Sequence, residues 1–220
     1  MVRVSRIVLF DFDGTLIRGD CVTGLLRRLL RTTYWRWVPA LLAMPLILGF
    51  LWWRTAQLPA MFYLWLAMVG RSEVEYRQAC AAFVADFTRD PQQRVIQVAM
   101  QRLRAHVAAG DRVYIVTAAN ESLAQAIWAA IDGPPVTALI GSQLRRGLGG
   151  WLWVFHCIGP RKVRALARAG VRPPYDVAYS DSSKDLPMLR AARQRVLVEP
   201  SARTLRRVRR ELGEFELIRD

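Results

Sequence analysis

The sequence predicts an α/β protein with a parallel sheet and a helical insertion near its amino-terminal end. Three short apolar runs, at 7–10, 112–116 and 175–180, are typical of buried parallel strands. Each run leads into polar residues. Between the first and second runs the apolar residues instead follow helical spacing. At 220 residues the chain is long enough for one α/β domain that carries such an insertion.

The first strand runs directly into two acidic residues, Asp11 and Asp13, which are followed by Gly14 and Thr15. In open α/β sheets ligands bind beyond the carboxyl ends of the strands, so both acids stand where a ligand is expected. Glycine permits the tight turn that follows. Taken alone, the motif could also be a solvated polar strand end.

Two further segments place polar groups at helix starts. Thr117 ends the second strand, and Asn120 is a plausible cap for the next helix. Backbone N–H groups at such a junction, including that of Ala118, can receive a phosphate. Lys162 lies in the first turn of a later helix that stops at Gly170. Each of these residues also has an ordinary structural explanation, as a strand end or a surface lysine.

The third strand ends in two acids four residues apart, Asp181 and Asp185. Magnesium in proteins is usually held by one or two carboxylates together with phosphate oxygens and waters. This spacing allows one acid to bind a metal and the other to stand behind it. Either acid alone could instead be a helix cap or a surface charge.

The order D-x-D, Thr, Lys, D-x-x-x-D resembles the four motifs of the haloacid-dehalogenase-like phosphatases, over residues 1–16 and 105–200. The resemblance implies a Rossmann-like catalytic core, at 1–16 and 105–220, and a helical cap at 17–104 that covers the site and selects the substrate. Lys184 is a departure, because many relatives have Asn there.

The same resemblance implies a mechanism. Asp11 is the expected nucleophile and forms an aspartyl-phosphate. Asp13 protonates the leaving group and then takes a proton from water. Mg²⁺ is the expected cofactor, with Asp11, the backbone carbonyl of Asp13 and Asp181 as its ligands. It screens the repulsion between nucleophile and phosphate.

The remaining motif residues are expected to bind the phosphoryl group. Thr117 and the N–H of Ala118 would hydrogen-bond its oxygens, and Lys162 would pair with their charge. Asp185 would orient Lys162 or a metal-bound water.

Net charge limits the partners. At +14, with a pI of about 11, the chain should attract nucleic acid or an anionic membrane. No recognised nucleic-acid module is present, so nucleic acid is not expected as a partner. Cys21, Cys80 and Cys157 form no C-x-x-C pair and indicate free thiols in a reducing compartment. His106 and His156 are interpreted as structural.

The insertion contains an unusual apolar segment at 37–70, whose only charged residue is Arg54. Each half would be roughly 25 Å long as a helix, against a hydrocarbon core of about 30 Å, so full spanning is marginal. We expect a hairpin that dips into one leaflet, or an interfacial helix pair. Basic residues on both flanks place both ends on the cytoplasmic side. The alternative is a helix pair buried within the cap.

Three local patterns complete the prediction. Ser72 and Glu75 form a capping box that opens a helix, and Asp90 with Pro91 begins another that runs to Gly110. The run 144–155 has the turn chemistry of a β-hairpin, either a structural flap or a substrate contact.

A closer resemblance is to the bacterial phosphatidylglycerophosphatase C family, through the first and last motifs, Asp20, and the segments 142–151 and 157–163. It implies an anionic phospholipid substrate, phosphatidylglycerophosphate, and a protein at the inner (cytoplasmic) membrane with its core on the cytoplasmic side. Asp20 also lies where the more distant phosphoserine phosphatases place a substrate-contacting acid, although it could simply cap a helix.

Two other functions stay open at this point. One is a soluble phosphatase that acts on phosphoserine or another small metabolite, which keeps the chemistry and changes the meaning of the cap. The other is a non-enzymatic protein whose basic surface binds membrane or nucleic acid. The complete set of acids, hydroxyl and lysine argues against the second.

Overall fold

The computed structural model describes residues 5–31, 42 and 57–220. Its strands are β1 Ile7–Phe10, β2 Arg112–Asn120, β3 Ala138–Gly147, β4 Gly150–Phe155, β5 Tyr175–Ser180, β6 Ala192–Val198 and β7 Glu216–Ile218. Its helices are α1 Cys21–Arg31, α2 Gln57–Met68, α3 Glu73–Phe87, α4 Pro91–Arg94, α5 Gln97–Ala108, α6 Glu121–Ala130, α7 Pro160–Arg168, α8 Leu186–Arg190 and α9 Ala202–Leu212. A short 3-10 turn covers Ser183–Asp185.

The strands form one sheet in the order β4-β3-β2-β1-β5-β6-β7. Every neighbouring pair is parallel except β3 and β4, so the predicted α/β core with a parallel sheet is confirmed. Phe10, the last residue of β1, pairs with Ile115 on one side and Tyr179 on the other. The chain winds outward in opposite directions on the two sides of β1, which is where α/β sheets bind ligands. Asp11 follows Phe10 at this point.

Apolar residues of the strands alternate between the two faces of the sheet. Val8 and Phe10 belong to a core that also contains α1, α3, α5 and α6. Leu9 belongs to a second core on the other face, under α7, α8 and α9. His106 lies in the first core, where its ring nitrogens bond Asp111 and the Tyr179 hydroxyl. A structural role for His106 accounts for both contacts.

The described helices of the insertion pack on the core rather than away from it. Leu25 and Leu29 of α1, Met68 of α2 and Phe83 of α3 share the apolar cluster that contains the strand residues. The capping box at Ser72 is confirmed, because its side chain accepts from the Glu75 amide and the Glu75 carboxylate accepts from the Ser72 amide.

The helix predicted from Pro91 to Gly110 is interrupted, which corrects the prediction. Val95 is extended and forms an isolated bridge with Ile17, and the Ile96 amide donates to the Leu16 carbonyl at 3.0 Å. These contacts with the chain just after β1 divide the run into α4 and α5. Ala99 and Leu103 of α5 belong to the same buried cluster as residues of β1 and β2.

The apolar segment is described only in its second half. There α2 buries Leu64, Leu66, Ala67 and Met68, so this half is closer to the alternative of a buried cap helix than to an exposed membrane segment. Within the described ranges, the helices are too short or too polar to cross a bilayer. Residues 37–41 and 43–56, on which the remaining membrane expectation rests, lie outside the described residues.

The predicted hairpin at 144–155 is confirmed. Arg146 pairs with Trp151 and Gly147 with Gly150 in antiparallel register. The two turn residues, Leu148 and Gly149, have φ of 51° and 72°, the left-handed region that a tight hairpin turn of this length requires. The strand β3 starts earlier than predicted because its first half pairs in parallel with β2.

Candidate active site

A buried chain of charges stands at the carboxyl end of β1. The Nζ atom of Lys162 donates to Asp11 Oδ1 at 2.6 Å and to Asp185 Oδ2 at 2.7 Å. Asp11 is 7% exposed, and Lys162 and Asp185 are each 2% exposed. The structure therefore brings together three residues that lie far apart in the sequence.

Local geometry aims Lys162 into the site. Gly159 caps α7 with φ of 56°, and Pro160 occupies the first turn, where its missing N–H is no loss. Lys162 follows in that turn. The Ser180 hydroxyl also donates to Asp185 Oδ2, at 2.8 Å, so the carboxylate that holds the lysine is itself held.

The buried charges at this point shift one another's pKa values. Burial raises the pKa of Asp11, repulsion by Asp185 and Asp181 adds to the increase, and attraction to Lys162 opposes it. For Lys162, burial acts to lower the pKa, but attraction to Asp11 and Asp185 outweighs it and the pKa is raised. Lys162 is therefore charged at neutral pH. One lysine faces three carboxylates, so the cluster has excess negative charge in a poorly hydrated place.

Asp181 lies on the other side of the D-x-D turn, against Gly14. Its backbone N–H donates to the Thr15 hydroxyl oxygen at 3.0 Å. A Cβ atom on Gly14 would lie 2.6 Å from Asp181 Oδ2, and Gly14 has φ of 78°. Glycine is therefore required there both for its backbone conformation and for the space that the carboxylate fills. Burial, with repulsion by Asp185, raises the pKa of Asp181 to about 6.

The Asp13 carboxylate points toward the start of the insertion. The Cys21 amide, the first of α1, donates to Asp13 Oδ1 at 2.9 Å, and the Cys21 Sγ lies 3.5 Å from Oδ2. Burial raises the pKa of Asp13 to about 6, although the Cys21 amide acts to lower it. A carboxyl group with this pKa can both give and take a proton near neutral pH, as a general acid and base must.

Thr117 and Ala118 lie where β2 leaves its regular pairing. The register between β2 and β3 shifts between Val116 and Asn120. The Thr117 side chain is fully buried, and its oxygen accepts from the Ala119 amide at 2.9 Å, which leaves its O–H as a donor. The Ser142 hydroxyl donates to the Ala118 carbonyl at 2.7 Å and fixes this peptide.

Asp20 does not join the buried charges. It is exposed, and its Oδ1 accepts from the Thr23 amide at 2.8 Å. That contact is the one made by a helix-capping aspartate, so the structure gives Asp20 a structural role at the start of α1.

The site fits Mg²⁺ by the chemistry of its donors. Asp11 and Asp181 supply carboxylate oxygens. The Asp181 carboxylate can stand close to the D-x-D turn because Gly14 has no side chain there. Because the Asp13 carboxylate is bound by Cys21, Asp13 can contribute its backbone carbonyl. Among the described residues no three His, Cys, Asp or Glu side chains enclose a metal site. Magnesium does not require such an enclosure, because it retains waters and uses one or two carboxylates.

Three supporting residues were missed by the sequence analysis: Thr15, Cys21 and Ser180. Thr15 and Ser180 are adjacent to motif acids, so their positions in the motifs could have identified them. Cys21 gave no signal, because its contact with Asp13 depends on where α1 begins.

A narrow apolar cavity lies between the insertion and the core. Its walls come from α1, α2, α3, α6 and the hairpin, with Asn120 at the end of β2, and include Val22, Leu25, Leu64, Met68, Leu123 and Trp153. Its lining residues Val22 and Asn120 follow Cys21 and Thr117 closely in the sequence. A larger groove of about 690 Å³ lies along β6 and β7 and contains none of the motif residues.

Comparisons with solved structures find the same fold over nearly the whole chain. A protein of unknown function from Bordetella pertussis Tohama I matches with a TM-score of 0.72 and 26% identity, covering 98% of this chain and 99% of that chain. A phospho-aspartyl intermediate analogue of phosphoserine phosphatase matches with a TM-score of 0.59 and 13% identity, covering 98% and 94%. Phosphoserine phosphatase from T. onnurineus matches at 0.56 and 15%, covering 98% and 90%.

A family model for haloacid dehalogenase-like hydrolases matches residues 8–190, which include every motif residue discussed above. The match extends over most of the chain and begins in β1, the strand that carries Asp11. The chain therefore belongs to the haloacid dehalogenase-like hydrolases.

Proposed function

We propose that the protein is a Mg²⁺-dependent phosphatase that hydrolyses a phosphate monoester through an aspartyl-phosphate on Asp11. The observation that carries this proposal is the Lys162 bridge between Asp11 and Asp185. Thr117, three residues before the end of β2, and Asp181, just after β5, lie on the two strands that flank β1. A surface ion pair would not place an excess of carboxylates around one buried lysine at the carboxyl edge of the sheet.

In the first step an Asp11 carboxylate oxygen attacks phosphorus, and the bond from phosphorus to the leaving oxygen breaks. Asp13 gives that oxygen its proton, which a carboxyl with a pKa of about 6 can do. Lys162, the Thr117 hydroxyl and the Ala118 N–H stabilise the charge on the phosphoryl oxygens.

In the second step a water oxygen attacks phosphorus of the aspartyl-phosphate, and Asp13 takes the proton of that water. The bond between phosphorus and the Asp11 oxygen breaks, which releases phosphate and restores the carboxylate. Bound Mg²⁺, held by Asp11, Asp181 and the Asp13 carbonyl, would neutralise charge between nucleophile and phosphate. Asp185 keeps Lys162 in position throughout.

For the substrate we propose a small soluble monoester, similar to the substrates of the phosphoserine phosphatases. These neighbours share the fold along more than nine-tenths of this chain. A substrate that carries an amino group could also be attracted by Asp20 at the start of α1.

A lipid phosphate, phosphatidylglycerophosphate in particular, is the second candidate. The lining of the narrow cavity between the insertion and the core favours it only by its apolar character, because the described walls contain no charged side chain and the cavity, at about 10 Å³, is too small to hold an acyl chain. The net charge of +14 favours anionic lipid as well. This candidate would place the protein at the bacterial inner membrane, with its core on the cytoplasmic side.

One assay separates the two candidates. Phosphate release is measured with and without Mg²⁺ on phosphoserine, other soluble monoesters, phosphatidate, lysophosphatidate and phosphatidylglycerophosphate. Preference for a soluble monoester, judged by kcat/KM, supports the first candidate, and preference for a lipid supports the second. Absence of Mg²⁺-dependent release from every monoester, in protein shown to be folded, contradicts the proposed phosphatase activity.

A further inference from the structure

The tip of the β3–β4 hairpin exposes a large apolar side chain. Leu148 is 82% exposed, which is the greatest exposure of a large apolar residue in the described part of the chain. It sits in the tight turn with φ of 51°. A leucine has no conformational advantage at such a position, because only glycine, asparagine or aspartate adopts it readily. The reason for an apolar residue at this turn therefore lies in what the Leu148 side chain contacts.

Contacts with α2 hold the tip firmly. The Trp65 indole N–H donates to the Leu148 carbonyl at 2.8 Å, and the Gly70 amide donates to the Gly149 carbonyl at 2.8 Å. A Cβ atom on Gly150 would lie 2.8 Å from the Trp65 ring, so the hairpin and the helix are in direct contact. Leu148 is thus fixed in its outward position rather than carried by a loose loop.

The surroundings of Leu148 combine basic and aromatic side chains. Arg145 and Arg146 are exposed on the two faces of β3, just before the turn. On α2, the partly buried rings of Phe62 and Trp65 lie 6.2 Å apart between centroids, and the Trp65 indole N–H donates to the tip itself. The hairpin and α2 contain no acidic residue.

We propose that the hairpin tip and the adjoining aromatic side of α2 dock onto an anionic lipid bilayer, with Leu148 inserted at the boundary between headgroups and acyl chains. Arg145 and Arg146 would contact anionic headgroups, and the aromatic rings would occupy the interfacial zone that they prefer. We call this surface, formed by Phe62, Trp65, Arg145, Arg146 and Leu148, the tip surface.

Charge and size favour a bilayer over a protein partner. A net charge of +14 is complementary to an anionic membrane. One protruding leucine with a narrow aromatic edge is small compared with the roughly 800 Å² that each partner buries in a stable protein interface. The same footprint suits shallow insertion into headgroups. The inference does not depend on which monoester the protein hydrolyses.

The test measures binding of the full chain to sedimented vesicles, either of phosphatidylcholine alone or of phosphatidylcholine mixed with phosphatidylglycerol. Leu148→Ser should weaken binding to the anionic vesicles about tenfold, because the apolar side chain no longer leaves water. Arg145→Ala and Arg146→Ala should each weaken it about fivefold, and high salt should remove these two differences.

Leu217→Ser is the matched control, because Leu217 is a 42% exposed leucine on β7, at the opposite edge of the sheet. It should bind as the unmodified protein does. Equal binding by Leu148→Ser and Leu217→Ser overturns the inference. Equal binding to both kinds of vesicle also overturns it.

A concentration-dependent dimer that Leu148→Ser abolishes without vesicles would assign the tip surface to a second copy of the chain instead. Phosphatase activity on a soluble monoester should be unchanged in both serine variants, so failure of the docking inference is distinguishable from failure of the proposed function.

Discussion

Replacing Asp181 by asparagine should change how the stability of the metal-free protein depends on pH. Burial and repulsion by Asp185 raise the pKa of Asp181 from 3.8 to about 6 in the folded state. The folded protein therefore binds the proton more tightly than the unfolded chain does. A raised pKa stabilises the fold below the unfolded value and loses that stabilisation as pH rises through the folded value.

The size of the effect follows from the two pKa values. Between about pH 4.5 and about pH 7.5, Asp181 should remove about 2 kcal/mol from the free energy of unfolding of the metal-free protein. An asparagine side chain does not titrate, so the Asp181→Asn variant lacks this loss. Its stability relative to the unmodified protein should thus increase by about 2 kcal/mol over that interval.

Urea unfolding in the presence of a chelator, at the two pH values, measures the difference directly. Mg²⁺ provides the control, because a cation held by the Asp181 carboxylate would offset the repulsion from Asp185. Added Mg²⁺ should stabilise the unmodified protein more at the higher pH, and should stabilise the variant little at either. A stability difference between the two proteins that is the same at both pH values would refute this account of the site.

Substitutions at four other positions have distinct expected outcomes. Asp11→Asn should abolish turnover and leave the circular dichroism spectrum unchanged, because the amide keeps the shape and lacks the nucleophile; activity near that of the unmodified enzyme would refute the nucleophile assignment. Asp13→Asn should lower kcat by about 10²–10⁴-fold, measured in steady state with a poor and a good leaving group, and the loss should be smaller for the good one. Gly14→Ala should weaken Mg²⁺ binding in calorimetry, because its Cβ would lie 2.6 Å from Asp181 Oδ2; unchanged affinity would contradict the close contact. Lys162→Met should destabilise the fold by about 3–5 kcal/mol in urea unfolding, because Asp11 and Asp185 would remain buried without a cation, and Lys162→Arg, which keeps the positive charge, should lose less.

Much of the site could be predicted because its residues stand at strand ends. Parallel strands end at the same edge of a sheet, so Asp11, Thr117 and Asp181 had to converge once the three strands were identified. The sequence constrained the place of Lys162 less, because this residue does not follow a strand of the parallel sheet. Its position in the first turn of a helix was correct, but only the fold determines that α7 aims this turn at Asp11.

Contacts between remote segments were not predictable in the same way. The break between α4 and α5 arises from Val95 pairing with Ile17, and the local sequence from Pro91 onward favours an uninterrupted helix. α2, which belongs to the second half of the apolar segment, lacks a polar face. It nevertheless packs against the core through Met68. Composition alone did not distinguish burial in protein from burial in lipid, because both remove the same apolar surface from water.

The hydrogen bond from the Cys21 amide joins Asp13, the proposed proton donor, to the helical insertion. This N–H is the first of α1, so a rotation or withdrawal of that helix would take away one of the groups that hold the Asp13 carboxylate. If Asp13 is the proton donor that we propose, loss of this bond would let its carboxylate turn away from the leaving oxygen and would raise its pKa, so the seating of α1 would set both the orientation and the charge of the catalytic acid.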